Sequence, residues 1–141
     1  MSAILTFTDN VTENITNVVN ADGTGNKTIY TCTNLKGMRI YAIAVFSTDT
    51  IAHDVYLKIN NGTTSYRMGT TNTLANAGNT NAILTDDLFA DAQLNAIFSK
   101  NIDANGVPYW NMPYNWSIVI SLPVVVTAGK EMNFFVFGET Y

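Results

Sequence analysis

Between Asp103 and Tyr141 the apolar residues come only in short runs, and each run is cut by a turn former within a few positions. Asn105-Gly106 supplies the positive φ angles of a tight turn. An aromatic and proline stretch follows from Val107 to Trp116, then Ser117-Ile118-Val119-Ile120-Ser121-Leu122, a breaker at Pro123, and Val124-Val125-Val126. Thr127-Ala128-Gly129-Lys130 turns the chain into a last run over residues 132–138. Runs this short, rich in β-branched and aromatic residues, predict strands rather than helices. They predict two antiparallel strands closing the chain, with aromatic bulk packed beneath them.

The same punctuation continues upstream. Residues 28–33 alternate as a strand does, and residues 38–47 are almost wholly apolar, the pattern of a strand buried on both faces. Residues 54–59 alternate with Val55, Leu57 and Ile59 inward, and Asn61-Gly62 signals a hairpin into a returning strand over 65–69. A further edge strand is expected near residues 70–74, a loop at Asn76-Ala77-Gly78-Asn79, and a short strand over 81–84. Thr85 has the character of a helix N-cap, with Asp86 and Asp87 in the first turn, so one short helix is expected over residues 86–96. Residues 1–26 read as an extended amino-terminal arm ending in the Asp22-Gly23-Thr24-Gly25-Asn26 turn, with an edge strand of the same domain as the alternative. The expected fold is all-β: an antiparallel β-sandwich of jelly-roll type with one short helix, occupying residues 27–141.

Composition narrows the function classes. The 141 residues suffice for one domain with a core of its own, without metals or disulfides. Charged residues make up 13% of the chain, about half the usual share, and 18 Asn and 19 Thr take the polar role instead. Neutral hydrogen-bonding side chains suit a surface that packs against other protein. A net charge of −4 and a pI near 4.6 leave no basic patch to neutralise phosphates, so no nucleic-acid partner is expected. The lone cysteine, Cys32, has no internal disulfide partner and reads as a small apolar strand residue. The amino terminus lacks a basic segment followed by a long apolar one, and residues 40–46 and 118–126 are too short to span a bilayer. The chain therefore reads as soluble, made in a cytoplasm, with no membrane partner.

No catalytic residues, metal site or cofactor site are expected. His53 is the only histidine, so with Cys32 also alone no His/Cys zinc set can be assembled. His53 is expected at an exposed turn, and no Gly-x-Ser-x-Gly elbow, phosphate loop or dinucleotide fingerprint accompanies it. Asp86, Asp87 and Asp91 cluster, but on the expected helix capping and solvation account for them. Residues 101–106 imitate the start of a calcium loop, yet the twelfth position, which should be a bidentate Glu, is Met112. Asn-x-Ser/Thr triplets begin at Asn10, Asn14, Asn26, Asn61 and Asn115, a by-product of Asn and Thr abundance. Tyr109, Trp110, Tyr114 and Trp116, in a loop bounded by prolines, are the candidate interface residues; a sugar-stacking platform is the competing reading.

The order of these pieces resembles a known family. The strand at Thr28-Ile29-Tyr30-Thr31, the apolar strand ending at Ser47-Thr48-Asp49 and the Asn61-Gly62 hairpin come first. Asp103-Ala104-Asn105-Gly106-Val107-Pro108-Tyr109, Val126-Thr127-Ala128-Gly129-Lys130 and a closing Phe137-Gly138-Glu139-Thr140-Tyr141 follow. Over residues 28–141 this order is similar to that of the small β-sandwich decoration, or auxiliary cement, proteins of tailed-phage capsids. The resemblance implies a non-enzymatic virion protein that forms homotrimers on the major capsid protein. The alternative is a receptor- or carbohydrate-binding module of a phage head fibre or tail, and a tail-tube or baseplate subunit would use the same sandwich.

Overall fold

The computed structural model describes residues 11–90 and 101–140. They form the strands β1 (Val11–Val19), β2 (Lys27–Thr31), β3 (Met38–Ser47), β4 (His53–Asn60), β5 (Ser65–Thr73), β6 (Asp86–Asp87), β7 (Asn101–Ile102), β8 (Pro108–Met112), β9 (Ser117–Ser121) and β10 (Glu131–Thr140). Two antiparallel sheets pack face to face. One runs β1-β10-β3-β8-β7 with β6 also on β3; the other runs β2-β9-β4-β5. Every step from β1 to β4 crosses between the sheets, β4 and β5 form a hairpin, and β8, β9 and β10 cross again. This double winding is a jelly roll, as the turn spacing predicts.

Period-two alternation builds the core. In β4, His53, Val55, Leu57 and Ile59 point inward, and in β10 Met132, Phe134 and Val136 do so. They meet Ile40, Ile43, Val45, Met112, Ile118 and Ile120 between the sheets. Phe134 is wholly buried, a side chain whose removal from water is worth about 3 kcal/mol.

The structure corrects several expectations. The closing runs do not pair with each other: β9 lies in the four-stranded sheet and β10 in the six-stranded one, because successive strands of a jelly roll alternate between layers. β3 alternates between buried and half-buried residues instead of being buried on both faces, since only one side of its sheet meets the other layer. Residues 65–73 form one continuous strand, β5, not two. Residues 80–83 make an isolated bridge within a turn, and residues 124–126 fall outside the strands. No helix forms at the Thr85 signal. Asp86 and Asp87 pair with Val45 and Ala44 of β3, and a single 3-10 turn follows at Leu88–Ala90. The physical reason lies in Asp87, whose Oδ1 accepts the N–H of Ile43 at 3.2 Å as well as that of Phe89 at 3.0 Å. A tertiary hydrogen bond thus takes up a carboxylate expected in the first turn of the helix. The remainder of the expected helix, including Asp91, lies outside the described residues, as do residues 1–10 of the amino-terminal arm. From Val11 onward that arm is β1, paired with β10 from Val11 opposite Glu139 to Val19 opposite Glu131.

Two local devices position these strands. The pairing of β10 with β3 shifts register between Phe137 and Gly138. At this bulge a Cβ on Gly138 would lie 2.6 Å from the Arg39 carbonyl oxygen and 2.5 Å from the Met38 methyl carbon, so only glycine lets the strands approach. On the flank where β1 and β2 are the outermost strands, side chains stitch the two sheets. Asn14 Nδ2 donates to the carbonyl of Ile29 in β2, and Lys27 Nζ donates to the carbonyl of Asn17 in β1 at 2.8 Å. Lys27 also pairs with Asp22 at 2.8 Å.

Candidate interaction surface

His53 is not at an exposed turn. It opens β4 in phase with Val55 and Leu57 and is 1% exposed. Its Nε2 lies 2.8 Å from Asp49 Oδ2, and both side chains are enclosed. Asp49 Oδ2 also accepts the N–H of Thr127 at 2.8 Å, and Oδ1 that of Ile51 at 3.3 Å. Burial alone would raise the Asp49 carboxyl, but the donors on Thr127, His53 and Ile51 outweigh it and hold the group well below the usual carboxylate range. Ser47 Oγ is the nearby hydroxyl, and it accepts the Asp49 N–H at 3.1 Å. A serine, a histidine and an aspartate thus lie together with no exposed atom for a substrate to reach. The cluster ties the β3–β4 connection to the β9–β10 connection. It is a structural joint.

Asp86, Asp87 and Asp103 are similarly occupied. Asp86 Oδ2 is 3.5 Å from the Thr73 hydroxyl, and Asp87 holds backbone as described. Asp103 Oδ1 accepts the N–H groups of Asn105 and Val107 at 2.8 and 2.9 Å, so the calcium-like segment is a hydrogen-bonded turn between β7 and β8. Among the described residues no three His, Cys, Asp or Glu side chains gather as a metal site would require. A surface groove of about 800 Å³ near the start of β10 is bordered by Asn20, Thr48, Lys130 and Glu131 and has no aromatic in its lining.

A group of aromatic residues lies elsewhere, on the outer face of the six-stranded sheet. Cross-strand register sets Ile15, Phe135 and Ala44 side by side, with Glu13, Phe137 and Ala42 in the next row and Asn17, Asn133 and Phe46 on the other side. The Phe135 and Phe137 rings are stacked, with centroids 6.4 Å apart and planes at 8°. Beyond them Tyr41 meets Tyr109 at 6.0 Å, the Arg39 guanidinium sits 4.9 Å from the centre of the Tyr109 ring, and the Tyr41 hydroxyl donates to Asp103 Oδ2 at 3.2 Å. Burial raises the Tyr41 phenol above its ordinary pKa. A groove of about 310 Å³ between Tyr41, Val107, Phe137 and Glu139 runs along this edge of the face.

Against known proteins, no family model matches the chain, and no curated protein matches it. A solved structure is similar to the chain. It belongs to the acid-stable capsid of Helicobacter pylori bacteriophage KHP30, with a TM-score of 0.49 and 12% sequence identity over 92% of this chain and 87% of that one.

The four aromatics singled out in the sequence do not form one platform. Residues 108–112 are strand β8, not a loop, so Tyr109 and Trp110 point to opposite sides. Trp110, opposite Ile40, and Trp116 pack partly against the core, Tyr109 lies on the outer face, and Tyr114 is 50% exposed on the turn that follows β8. Sequence reasoning missed Phe135 and Phe137 as surface residues. The signal was present: residues 132–137 alternate Met-Asn-Phe-Phe-Val-Phe, and with Phe134 inward both neighbouring phenylalanines must face outward.

Proposed function

We propose that this protein is a non-enzymatic structural virion protein that decorates or cements a phage capsid, associating with itself and with the major capsid protein. The reading is carried by one observation: the largest side chains on the outer face of the six-stranded sheet are aromatic. The only histidine, with its aspartate, is meanwhile enclosed as a structural joint. Such a surface suits protein contact. The motif order over residues 28–141 and the jelly-roll winding support the phage-capsid part of the reading. The trimer comes from the resemblance alone. Within the aromatic set, Tyr109 and Tyr114 are the contact residues, with Trp110 and Trp116 fixing them from the core side. The part of the amino-terminal arm that precedes Val11 is proposed to serve attachment to the particle.

The competing reading, a receptor- or carbohydrate-binding module, calls for an aromatic platform over a groove. The 800 Å³ groove lacks one, and the four aromatics singled out in the sequence point in different directions; the smaller groove beside Tyr41 and Phe137 is where such binding would be sought. Quantifying the protein on purified particles separates the two readings. A cement protein co-sediments at a copy number comparable to that of the capsid subunit, while a few copies per particle together with glycan binding would replace the proposal by the alternative.

A further inference from the structure

We infer that Asn105 is a site of spontaneous modification, at which the chain converts a side-chain amide into a carboxylate beside the Tyr41 groove. The chemistry belongs to Asn-Gly pairs. The main-chain nitrogen of the glycine, unhindered by a side chain, attacks Cγ of the asparagine. That nitrogen gives its proton to solvent base and an N–Cγ bond forms. The Cγ–Nδ2 bond breaks, and Nδ2 takes up a proton and leaves as ammonia. Water then opens the cyclic imide at either carbonyl. Cleaving N–Cγ leaves aspartate, and cleaving the bond to the asparagine's main-chain carbonyl leaves isoaspartate, with the chain rerouted through Cγ. The step requires no oxidant, metal or second protein.

The sequence holds two such pairs, and the fold separates them. Asn61-Gly62 joins β4 to β5, and Asn105-Gly106 joins β7 to β8. The two glycine nitrogens are alike in their engagement: Gly62 N–H donates to Asn60 Oδ1 at 2.8 Å, and Gly106 N–H to the Asp103 carbonyl at 3.0 Å. The asparagine side chains differ. Asn61 Oδ1 accepts the N–H groups of Thr63 and Thr64 at 3.2 and 3.0 Å and the Thr63 hydroxyl at 3.0 Å. Turning Cγ onto the Gly62 nitrogen would break these bonds, and each ordinary hydrogen bond lost slows the step roughly fivefold. Asn105 is exposed, and among the described residues its side chain makes no hydrogen bond. Space differs as well. A Cβ on Gly62 would lie 3.1 Å from Asn115 Nδ2, whereas one on Gly106 would meet nothing within 4 Å. The position gives the modification a consequence. Asn105 borders the groove of about 310 Å³ beside Tyr41, where Asp103 and Glu139 already stand, so conversion adds negative charge to an acidic edge.

The test incubates the folded full chain in mildly alkaline buffer and follows both pairs by peptide mapping with mass spectrometry. The mass gain reads conversion of amide to acid, and separate elution of the two isomeric peptides reads isoaspartate. A parallel sample unfolded in urea removes the turns. Asn105 is expected to react at least about 10-fold faster than Asn61 in the folded chain, the effect of losing more than one hydrogen bond at Asn61. The two rates are expected to converge in urea. Asn105→Gln, whose longer side chain would have to close a larger ring, is expected to abolish conversion at this position while far-UV circular dichroism stays unchanged. Equal rates in the folded chain, or a faster rate at Asn61, overturn the inference. So does a folded chain in which neither pair reacts during a time that converts both in urea. A preference for Asn105 that persists in urea also overturns it, because the preference would then lie in the flanking residues and not in the turns. None of these results bears on the capsid reading, which is decided on purified particles.

Discussion

Asp49 shows how one carboxylate can organise two connections. It accepts from Thr127 and Ile51 and faces His53 at 2.8 Å, so its loss would strand donors from both loops inside the protein. Asp49→Asn is expected to cost roughly 2–4 kcal/mol of stability. Its pH dependence follows from the depressed carboxyl. In the unfolded chain an aspartate titrates near pH 3.9, and the folded state holds this one ionised to lower pH. The contribution is therefore complete above about pH 5 and is lost as the pH falls from the unfolded value through the folded one. Urea midpoints of the wild type and Asp49→Asn should differ equally at pH 7 and pH 5, and the gap should begin to narrow only below about pH 4, as the aspartate of the unfolded chain takes up its proton. A gap that instead grows on acidification would show that this carboxylate is not the stabilising partner. His53 was expected at an exposed turn, although its place two positions before Val55 in an alternating run carried the signal of an inward residue. Its partner carried none, since nothing in Ser47-Thr48-Asp49 announces that the aspartate turns inward.

At the scale of elements, most of the strands can be read from period-two runs: the expected 38–47 is β3, 54–59 falls within β4, and 117–122 and 132–138 overlap β9 and β10. Which strands neighbour which could not be read, because a run of alternating residues fixes its own faces and says nothing about its layer. The expected helix at Asp86 failed for a related reason: the capping signal at Thr85 is local, and a backbone N–H of Ile43 from a distant strand claimed Asp87. Of the candidate contact residues, Tyr109 and Tyr114 reach the surface, while the stacked phenylalanines of β10 were not singled out from the sequence. The bulge at which β3 pairs with β10, with Tyr41 as the extra residue, gives the test at this scale. Gly138→Ala would drive a methyl group against the Arg39 carbonyl, and with backbone on the other side neither strand can yield cheaply. A loss of roughly 1–3 kcal/mol is expected in chemical denaturation. A neutral result would mean that β3 and β10 separate at the bulge without cost.

For the molecule as a whole, β1 and β10, almost at opposite ends of the described chain, pair along their whole length, and β3 depends on β10 and β8 for neighbours. Contacts this distant in sequence must close large loops before they contribute, so refolding is expected on the millisecond-to-second scale. Stopped-flow dilution from urea checks this, and a microsecond phase carrying the full amplitude would contradict it. The stitched flank bears on a different property. Sheets that end in bare strands invite further strands, and chains made in quantity can then polymerise without limit. Along β1 and β2 the side chains of Asn14 and Lys27 already occupy carbonyls that a newcomer would need. Growth of a fibre from that flank would first have to displace these two hydrogen bonds, a cost that a bare strand edge does not impose on a newcomer.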